Sequence, residues 1–259
     1  MLALLLTSGC IVLNVQNGNG IPATQDRDVG DFSGVRNEFE ADVFIAFGSP
    51  SVTVSCDENL VENIETVVEE GILVIRAVNA KGLVTEIIPH TTCTVDISTP
   101  VLNLVSTTGS GEILVQGGTE MDELRFALST IETTGSGNIV VQTAIQANEI
   151  EITLTGSGDV QIADITTSDV DASLTGSGDC TLTGSTDMLD ATLTGSGDGA
   201  FASLSANTVR ITLTGSGDAS VTAQDRVEAT LTGSGDLSVS GNPSDRDVQE
   251  TGSGEVVFK

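Results

Sequence analysis

The chain has 259 residues and carries 37 Asp and Glu against nine Lys and Arg, a formal net charge of -28. So acidic a surface argues against nucleic acid as a partner, because phosphate backbones are bound by basic surfaces, and against direct attraction to anionic lipid. The sequence holds no Trp or Tyr, the rings on which many protein and carbohydrate sites depend.

The first ten residues form an apolar run that ends in small residues and Cys10, similar to the end of a bacterial lipoprotein signal. The run has no basic segment and is shorter than a secretory signal requires, so we expect the true start to lie upstream of Met1. The alternative is an apolar N-terminus that arose by chance. With Cys10 as the lipid attachment site, a lipid anchor would be the chain's only contact with a membrane. The polar residues 11–30 are expected to form a tether.

From residue 31 onward, apolar and polar residues alternate, which predicts strands with one buried face. The strands expected in this less regular, β-rich front half are 43–47, 51–55, 72–75 and 93–97. A helix is expected over residues 57–68, with Gly71 as its cap, because apolar residues recur there at helical spacing.

Three cysteines remain if Cys10 carries lipid. Cys56 and Cys93 both lie at expected strands, and an exported location would permit a disulfide between them, although the sequence does not give their distance. Cys180 occupies an inward strand position and is expected to be a buried thiol.

The tetrapeptide Thr-Gly-Ser-Gly occurs eight times from residue 108 onward, at nearly regular steps. Its first glycines are Gly109, Gly135, Gly156, Gly176, Gly195, Gly215, Gly233 and Gly252. Each copy follows a strand-like alternation, and an acidic or amide side chain comes directly after it. A period of about 20 residues is typical of a solenoid in which each strand pairs with its copy in the next rung. The sequence therefore predicts an all-β fold, a parallel β-helix with its repeats at about 100–257.

Glycine suits these turns because stacked rungs lie only ~4.8 Å apart, which leaves little room for a Cβ and favours positive φ. The last repeat is different, since Glu250 replaces the inward Leu and Arg246 and Asp247 add charge. Solenoids need polar ends that prevent edge pairing, so we expect a C-terminal cap there. An additional Thr-Gly-Ser at 183–185 falls in mid-rung and is expected to be a second corner.

Four front-half segments carry a resemblance together with the repeated Gly-Ser-Gly turns: 31–35, 43–48, 57–60 and 71–75. They resemble the bacterial family known as auto-transporter adhesin, head GIN domain, over residues 31–258. The resemblance implies a single-stranded, right-handed parallel β-helix-like solenoid and export, often as a lipoprotein. It carries over no catalytic motif. This chain departs from the family pattern in being richer in Thr and Asp.

Five aspartates that follow the turns are expected to stack on one corner of the solenoid: Asp159, Asp179, Asp198, Asp218 and Asp236. Like charges ~4.8 Å apart in water repel by ~0.9 kcal/mol per neighbouring pair, so another interaction must offset the repulsion. Backbone N–H groups of the turns are one such interaction. Bound Ca²⁺ is the other, because hard cations take carboxylate and carbonyl oxygens, and it is the only cofactor that the sequence suggests.

Pairs of the form Thr-x-Thr project outward from the strands ahead of the turns. The paired threonines are Thr153, Thr155, Thr192, Thr194, Thr212, Thr214, Thr230 and Thr232. Regular pairs of this kind on a flat β-helix resemble those of ice-binding proteins. The alternative is that Thr simply suits an exposed strand face.

Residues for catalysis are scarce: His90 is the only histidine, and no Cys or His pair has zinc-ligand spacing. Polysaccharide lyases share the parallel β-helix, but fold analogy alone does not imply activity. We therefore expect a non-enzymatic, exported protein of the cell envelope, an outer-membrane lipoprotein or cell-surface protein that acts in adhesion or surface interaction with a glycan or protein ligand. The competing expectation is a structural envelope protein without a ligand. A calcium-dependent or ice-binding solenoid is the third.

Overall fold

The computed structural model describes residues 15–78, 86–117 and 127–259, which are all-β apart from one 3₁₀ turn. The front half contains the 3₁₀ helix Val61–Asn63 and the strands β1 Gln16–Asn17, β2 Pro22–Arg27, β3 Gly34–Asn37, β4 Asp42–Phe47, β5 Ser51–Asp57, β6 Ile64–Glu69, β7 Ile72–Ala77, β8 Ile87–Ile88 and β9 Thr94–Thr99. The repeats contain β10 Leu104–Thr107, β11 Ile113–Gln116, β12 Thr130–Gly135, β13 Ile139–Gln146, β14 Glu149–Gly156, β15 Val160–Gly176, β16 Cys180–Gly195, β17 Gly199–Gly215, β18 Ala219–Gly233, β19 Leu237–Ser240, β20 Asp245–Gly252 and β21 Val256–Phe258.

The repeats form a β-solenoid of about six turns with roughly 20 residues per rung, which confirms the expected fold class. Strands that end in a Thr-Gly-Ser-Gly turn stack in parallel as the leading side, and those that follow the turn stack as the following side. The turns themselves stay in register, so that Gly156, Gly176 and Gly195 lie above one another. Each of the long strands β15 to β18 runs from the following side of one rung into the leading side of the next.

Inward aliphatic side chains form the core, as the alternation predicts. Leu154, Leu174 and Leu193 stack beneath consecutive turns, each at most 3% exposed. Burying one such side chain contributes about 1.5–3 kcal/mol relative to leaving it in water. Phe201 is fully buried, and its ring fills the space in which a side chain at Gly199 would lie. The absence of a Cβ at position 199 is therefore a consequence of core packing.

The spatial order of the front rungs differs from their order in the chain. The rung of β3 and β4 lies between that of β7 and β9 and that of β10 and β11. After its first rung the chain forms antiparallel strands, β5 against β9 and β6 against β7, before it returns to the solenoid. These antiparallel strands, with β2 against β5, form the N-terminal end of the sheet.

The expected helix over residues 57–68 is wrong. Only the single 3₁₀ turn forms there, and β6 follows as one strand of a hairpin with β7. Four of the five residues from Ile64 to Val68 are β-branched, which favours a strand. Glu70 and Gly71 have φ of 52° and 81°, the conformation of a two-residue hairpin turn, so Gly71 closes a hairpin and caps no helix.

The expected tether over residues 11–30 is also corrected where the structure describes it, from residue 15. β1 pairs with β8, and β2 pairs with β5 along its whole length, so this polar segment belongs to the folded domain. Its strands are held by pairing partners distant in the sequence, which its own composition does not reveal. Cys10 and the other residues ahead of Val15 lie outside the described part of the chain.

The last rung has the polar character expected of a cap. Glu250 stands in the column of the inward leucines, and its carboxylate accepts a hydrogen bond from the Val256 N–H at 2.9 Å. Arg246 lies over the Phe258 ring, 4.1 Å from its centre. The mid-rung Gly184 has φ of 131° and lies beside a shift in strand register, as expected of a corner.

Candidate functional site

The aspartates after the turns form one continuous column, which we call the acidic corner. The Oδ1 atom of each accepts a hydrogen bond from the backbone N–H of its counterpart in the next rung. The N···O distances are 2.9 Å from Asp179 to Asp159, 2.8 Å from Asp198 to Asp179, 2.8 Å from Asp218 to Asp198 and 2.8 Å from Asp236 to Asp218. Asn138 accepts from Asp159 at one end of the column, and Glu255 donates to Asp236 at the other.

The backbone N–H groups in this geometry are one of the two interactions that we expected to offset the repulsion between neighbouring aspartates. Each aspartate uses one carboxylate oxygen as a link between rungs and remains exposed to water. Within the described ranges, no three His, Cys, Asp or Glu side chains gather closely enough to hold a metal ion. Ca²⁺ at the acidic corner stays a prediction.

The threonines also stack as expected, in two columns on the leading side. The outer column is Thr155, Thr175, Thr194, Thr214 and Thr232 in strict register, and all five are exposed. The inner column is Thr153, Ser173, Thr192, Thr212 and Thr230, in which Thr192 is exposed and the others are half-buried. Two parallel rows of hydroxyl and methyl groups therefore run along one face, with a repeat of ~4.8 Å.

A charged column runs beside the threonines. Arg210 pairs with Asp190 in the rung before it at 3.1 Å and lies 3.7 Å from Glu228 in the rung after it. Arg226 pairs with Asp245 in the last rung. Such exposed pairs contribute little to stability because water screens them, but they fix the positions of two of the few cations. Sequence reasoning overlooked this column, although opposite charges at equal repeat positions were a readable signal.

A shallow groove of about 430 Å³ lies on the following side near the C-terminus. Its lining includes three aspartates of the acidic corner, small outward residues of successive rungs, and Lys259. Sequence reasoning missed this groove too. Its signal was the recurrence of small residues, Ala200, Ser220 and Ser238, at one outward position.

The N-terminal end contains the two front-half cysteines. The structure joins Cys56 and Cys93 in a disulfide, with their Cα atoms 4.3 Å apart. The neighbouring Asp57 is fully buried, and its carboxylate accepts hydrogen bonds from the N–H groups of Gly20, His90 and Thr91 at 2.6, 2.7 and 3.2 Å. Burial alone would raise the pKa of Asp57. The three N–H donors lower the pKa by more than burial raises it, so the net shift is downward.

Two other residues singled out in the sequence have structural surroundings. His90 bonds to Asp57 through its backbone N–H, which gives this stretch of chain a fixed position. Cys180 is the expected buried thiol, and burial raises its pKa well above the ordinary value, which suppresses the reactive thiolate. No helix among the described residues could span a bilayer, since none is long and apolar enough.

The family model described as "Putative auto-transporter adhesin, head GIN domain" matches residues 31–129 and again residues 125–243. These matches cover most of the chain. The chain belongs to the head GIN domain family. Sequence reasoning reached the same family from the front-half segments and the repeated turns. No curated protein sequence matches the chain.

Solved structures share the fold of this head GIN domain protein over nearly its full length. A "putative lipid binding protein" from Parabacteroides distasonis has a TM-score of 0.80 and 24% identity, and the match covers 94% of this chain and 99% of that one. A "putative adhesin" from Parabacteroides merdae has a TM-score of 0.78 and 20% identity with the same coverage. A third, a "putative adhesin" from Bacteroides fragilis, has a TM-score of 0.70 and 18% identity, again with 94% and 99% covered. At these identities the likeness establishes the fold alone.

Proposed function

We propose that this head GIN domain protein is a non-enzymatic, exported solenoid, anchored to the bacterial envelope through lipid on Cys10, that acts as an adhesin toward a glycan or protein surface. The observation that carries the proposal is the in-register repetition of polar groups along the leading side. Five consecutive rungs present a hydroxyl pair at the same position, so a partner that also repeats can make many weak contacts. Linked weak contacts gain avidity without any single strong site.

Several observations support a binding role over a catalytic one. The outward columns contain hydroxyls, carboxylates and a few paired arginines, and within the described residues the His and Cys side chains do not join them. The family description names an adhesin, and the similar structures carry the names of adhesins and of a lipid-binding protein. The competing proposal, a structural envelope protein, would use the same acidic surface only for solubility.

The first experiment determines which way the domain faces. Intact cells that express the full gene are treated with an external protease, and the protein is followed by antibody beside a periplasmic control. Loss of the signal places the solenoid outside the cell, as adhesion requires. Protection until the outer membrane is opened contradicts adhesion and directs the search to periplasmic partners.

A matched pair of variants then tests the leading side as the adhesive face. Thr194→Lys with Thr214→Lys alters the outer threonine column, while Thr181→Lys with Ser220→Lys adds the same charge on the following side. We expect only the first pair to reduce attachment of cells to glycan or matrix surfaces. If deletion of the gene weakens the envelope and leaves attachment unchanged, the structural role is favoured.

The strict register of the threonine columns favours ice binding as a second candidate. A flat, regular array of hydroxyl and methyl groups on a rigid face can match an ordered water lattice. Thermal hysteresis and ice recrystallisation are measured with purified protein and with the Thr194→Lys, Thr214→Lys variant. Normal ice growth with the unaltered protein ends this candidate.

A further inference from the structure

Exposed aliphatic side chains concentrate at the N-terminal end. Five large hydrophobic residues are exposed in the described ranges, and three of them lie at this end: Val15, Ile21 and Ile88, which are 40%, 54% and 45% exposed. The other two, Val101 and Val257, lie apart from them. They belong to one small unit, which we call the N-terminal ribbon, made of residues 15–21 and 86–88. Single exposed aliphatic residues are ordinary, but three on one short ribbon indicate a contact surface.

The ribbon is a separate two-stranded sheet, β1 against β8, beside the solenoid. Gln16 pairs with Ile87, which is buried. Because side chains alternate along a strand, Val15 and Ile88 lie together on the opposite, outer face. Ile21 is held nearby, since Asp57 binds the N–H groups of both Gly20 and His90.

The ribbon begins shortly after Cys10, at Val15. An extended stretch of that length reaches at most about 17 Å. The backbone of the ribbon is fixed by hydrogen bonds, because the Gln16 N–H donates to Glu86 O at 3.2 Å and the Gly18 N–H donates to Ile88 O at 2.8 Å. A lipid on Cys10 would therefore keep the start of the ribbon within about 17 Å of its attachment point, close enough for these aliphatic side chains to reach the membrane interface.

We infer that the N-terminal ribbon is a lipid-contacting surface that inserts Val15, Ile21 and Ile88 among lipid headgroups and orients the solenoid with its N-terminal end toward the membrane. This inference rests on the proposed anchoring through Cys10. Glu86 lies within the ribbon, and Glu58 borders it, since its N–H donates to Ile21 O. The partner is therefore a bilayer of low surface charge, because anionic lipid would repel both carboxylates.

The orientation places the last rung far from the bilayer. Following-side strands stack in the order β2, β5, β9, β4, β11, β13, β15, β16, β17, β18, β19 and β21. At ~4.8 Å per step, the two ends of this stack are about 50 Å apart. Val257 on β21 is 46% exposed, close to the 45% of Ile88, and therefore serves as a matched control position.

The absence of native Trp makes the test direct, because a single introduced Trp is the only indole in the protein. Full-length, lipidated Ile88→Trp and Val257→Trp proteins are bound to phosphatidylcholine vesicles that carry brominated acyl chains, and flotation verifies binding. We expect about twofold quenching of the Ile88→Trp fluorescence, since interfacial segments bury their apolar face ~5–10 Å into the headgroup region. The Val257→Trp fluorescence should stay unquenched.

Failure of the inference and failure of the anchor give different results. Proteins that float with the vesicles while Ile88→Trp stays unquenched would overturn the lipid contact and leave the anchor intact. Proteins that do not float would overturn both. A Gly/Ser insertion after Cys10 then distinguishes lipid binding by the ribbon from closeness imposed by the short anchor. Quenching of Ile88→Trp persists if the ribbon itself binds lipid, and loss of quenching overturns the inference.

Discussion

At the scale of single residues, the turn glycines explain why the chain repeats so strictly. Gly195 has φ of 129°, and a Cβ there would lie 2.2 Å from the carbonyl oxygen of Gly176 in the rung before it. The backbone conformation and the stacking distance both exclude a side chain. Each turn therefore depends on glycine because of the rung beneath it.

Gly195→Ala should lower the free energy of unfolding by about 3 kcal/mol, because it adds backbone strain to a steric clash that neither rung can relieve. Chemical denaturation with circular dichroism measures the change. Gly30→Ala is the control, since a Cβ at that position has nothing within 4 Å. Equal stability of the two variants would contradict the role assigned to the turn glycines.

The acidic corner requires a side-chain oxygen more than a charge. Asn138 fills the same role as the aspartates, with its amide oxygen accepting the Asp159 N–H at 2.8 Å. Asp198→Asn should therefore keep or slightly raise stability, because it retains an acceptor and removes a repelling charge. Asp198→Ala should cost about 1 kcal/mol, the usual net value of one hydrogen bond. Thermal melts of both variants measure these changes in stability. If Asp198→Ala were stable and Asp198→Asn unstable, the role assigned to the side-chain oxygen would be wrong.

Asp57 should make stability depend on pH. Its pKa is lower in the folded protein than in the unfolded chain, so the stabilisation it gives is present above the unfolded pKa and is lost as the pH falls through the folded pKa. Asp57→Asn should lower the Tm at neutral pH, because its amide group faces N–H donors. The difference from the unaltered protein should shrink in acid, where Asp57 is protonated. A difference that stays constant with pH would exclude the charge as its cause.

At the scale of elements, the sequence patterns correctly predicted those features that depend on neighbouring residues and on the repeat. Alternation placed the strands ahead of the turns, and counting from each turn placed the threonine and aspartate columns in register, because a parallel solenoid repeats one residue's environment in every rung. The helix over 57–68 was wrong because pairing with β7 decides the state of that segment. The insertion of the first rung between two later ones has no signal in the chain.

The same division applies to the candidate sites. The two polar columns follow from the repeat alone. The N-terminal ribbon and the buried Asp57 depend on contacts between segments far apart in the sequence, such as that of Asp57 with His90. A polar stretch such as residues 15–27 gives no sign of such partners, and its composition therefore predicted a tether.

The disulfide belongs to this scale because it joins two antiparallel regions of the N-terminal end across a sequence separation of 37. Cys56→Ser with Cys93→Ser should lower the free energy of unfolding by about 4 kcal/mol, since closing a loop of this length restricts the unfolded chain. Denaturation with and without reductant measures the effect. Reductant should destabilise the unaltered protein and leave the double variant unchanged, and insensitivity of both would contradict the prediction.

At the scale of the whole molecule, charge limits self-association. The last rung carries Glu250 at an inward position, and the terminal strand β2 at the other end contains Pro22 and Asp26. An inward charge and a proline both discourage strand pairing at an open edge. Because both ends carry such residues and the whole chain is acidic, end-to-end stacking of copies is opposed.

The net charge of -28 should also make stability depend on salt. Self-repulsion of the acidic surface weakens the folded state, and added NaCl screens it, so the Tm should rise from low salt toward about 0.15 M, where the screening length falls to about 8 Å. CaCl₂ at equal ionic strength separates screening from binding. An equal rise in both salts, with no loss on adding EDTA, would exclude structural Ca²⁺ at the acidic corner. A larger rise in CaCl₂ that Asp198→Asn with Asp218→Asn abolishes would establish a calcium site built on that column.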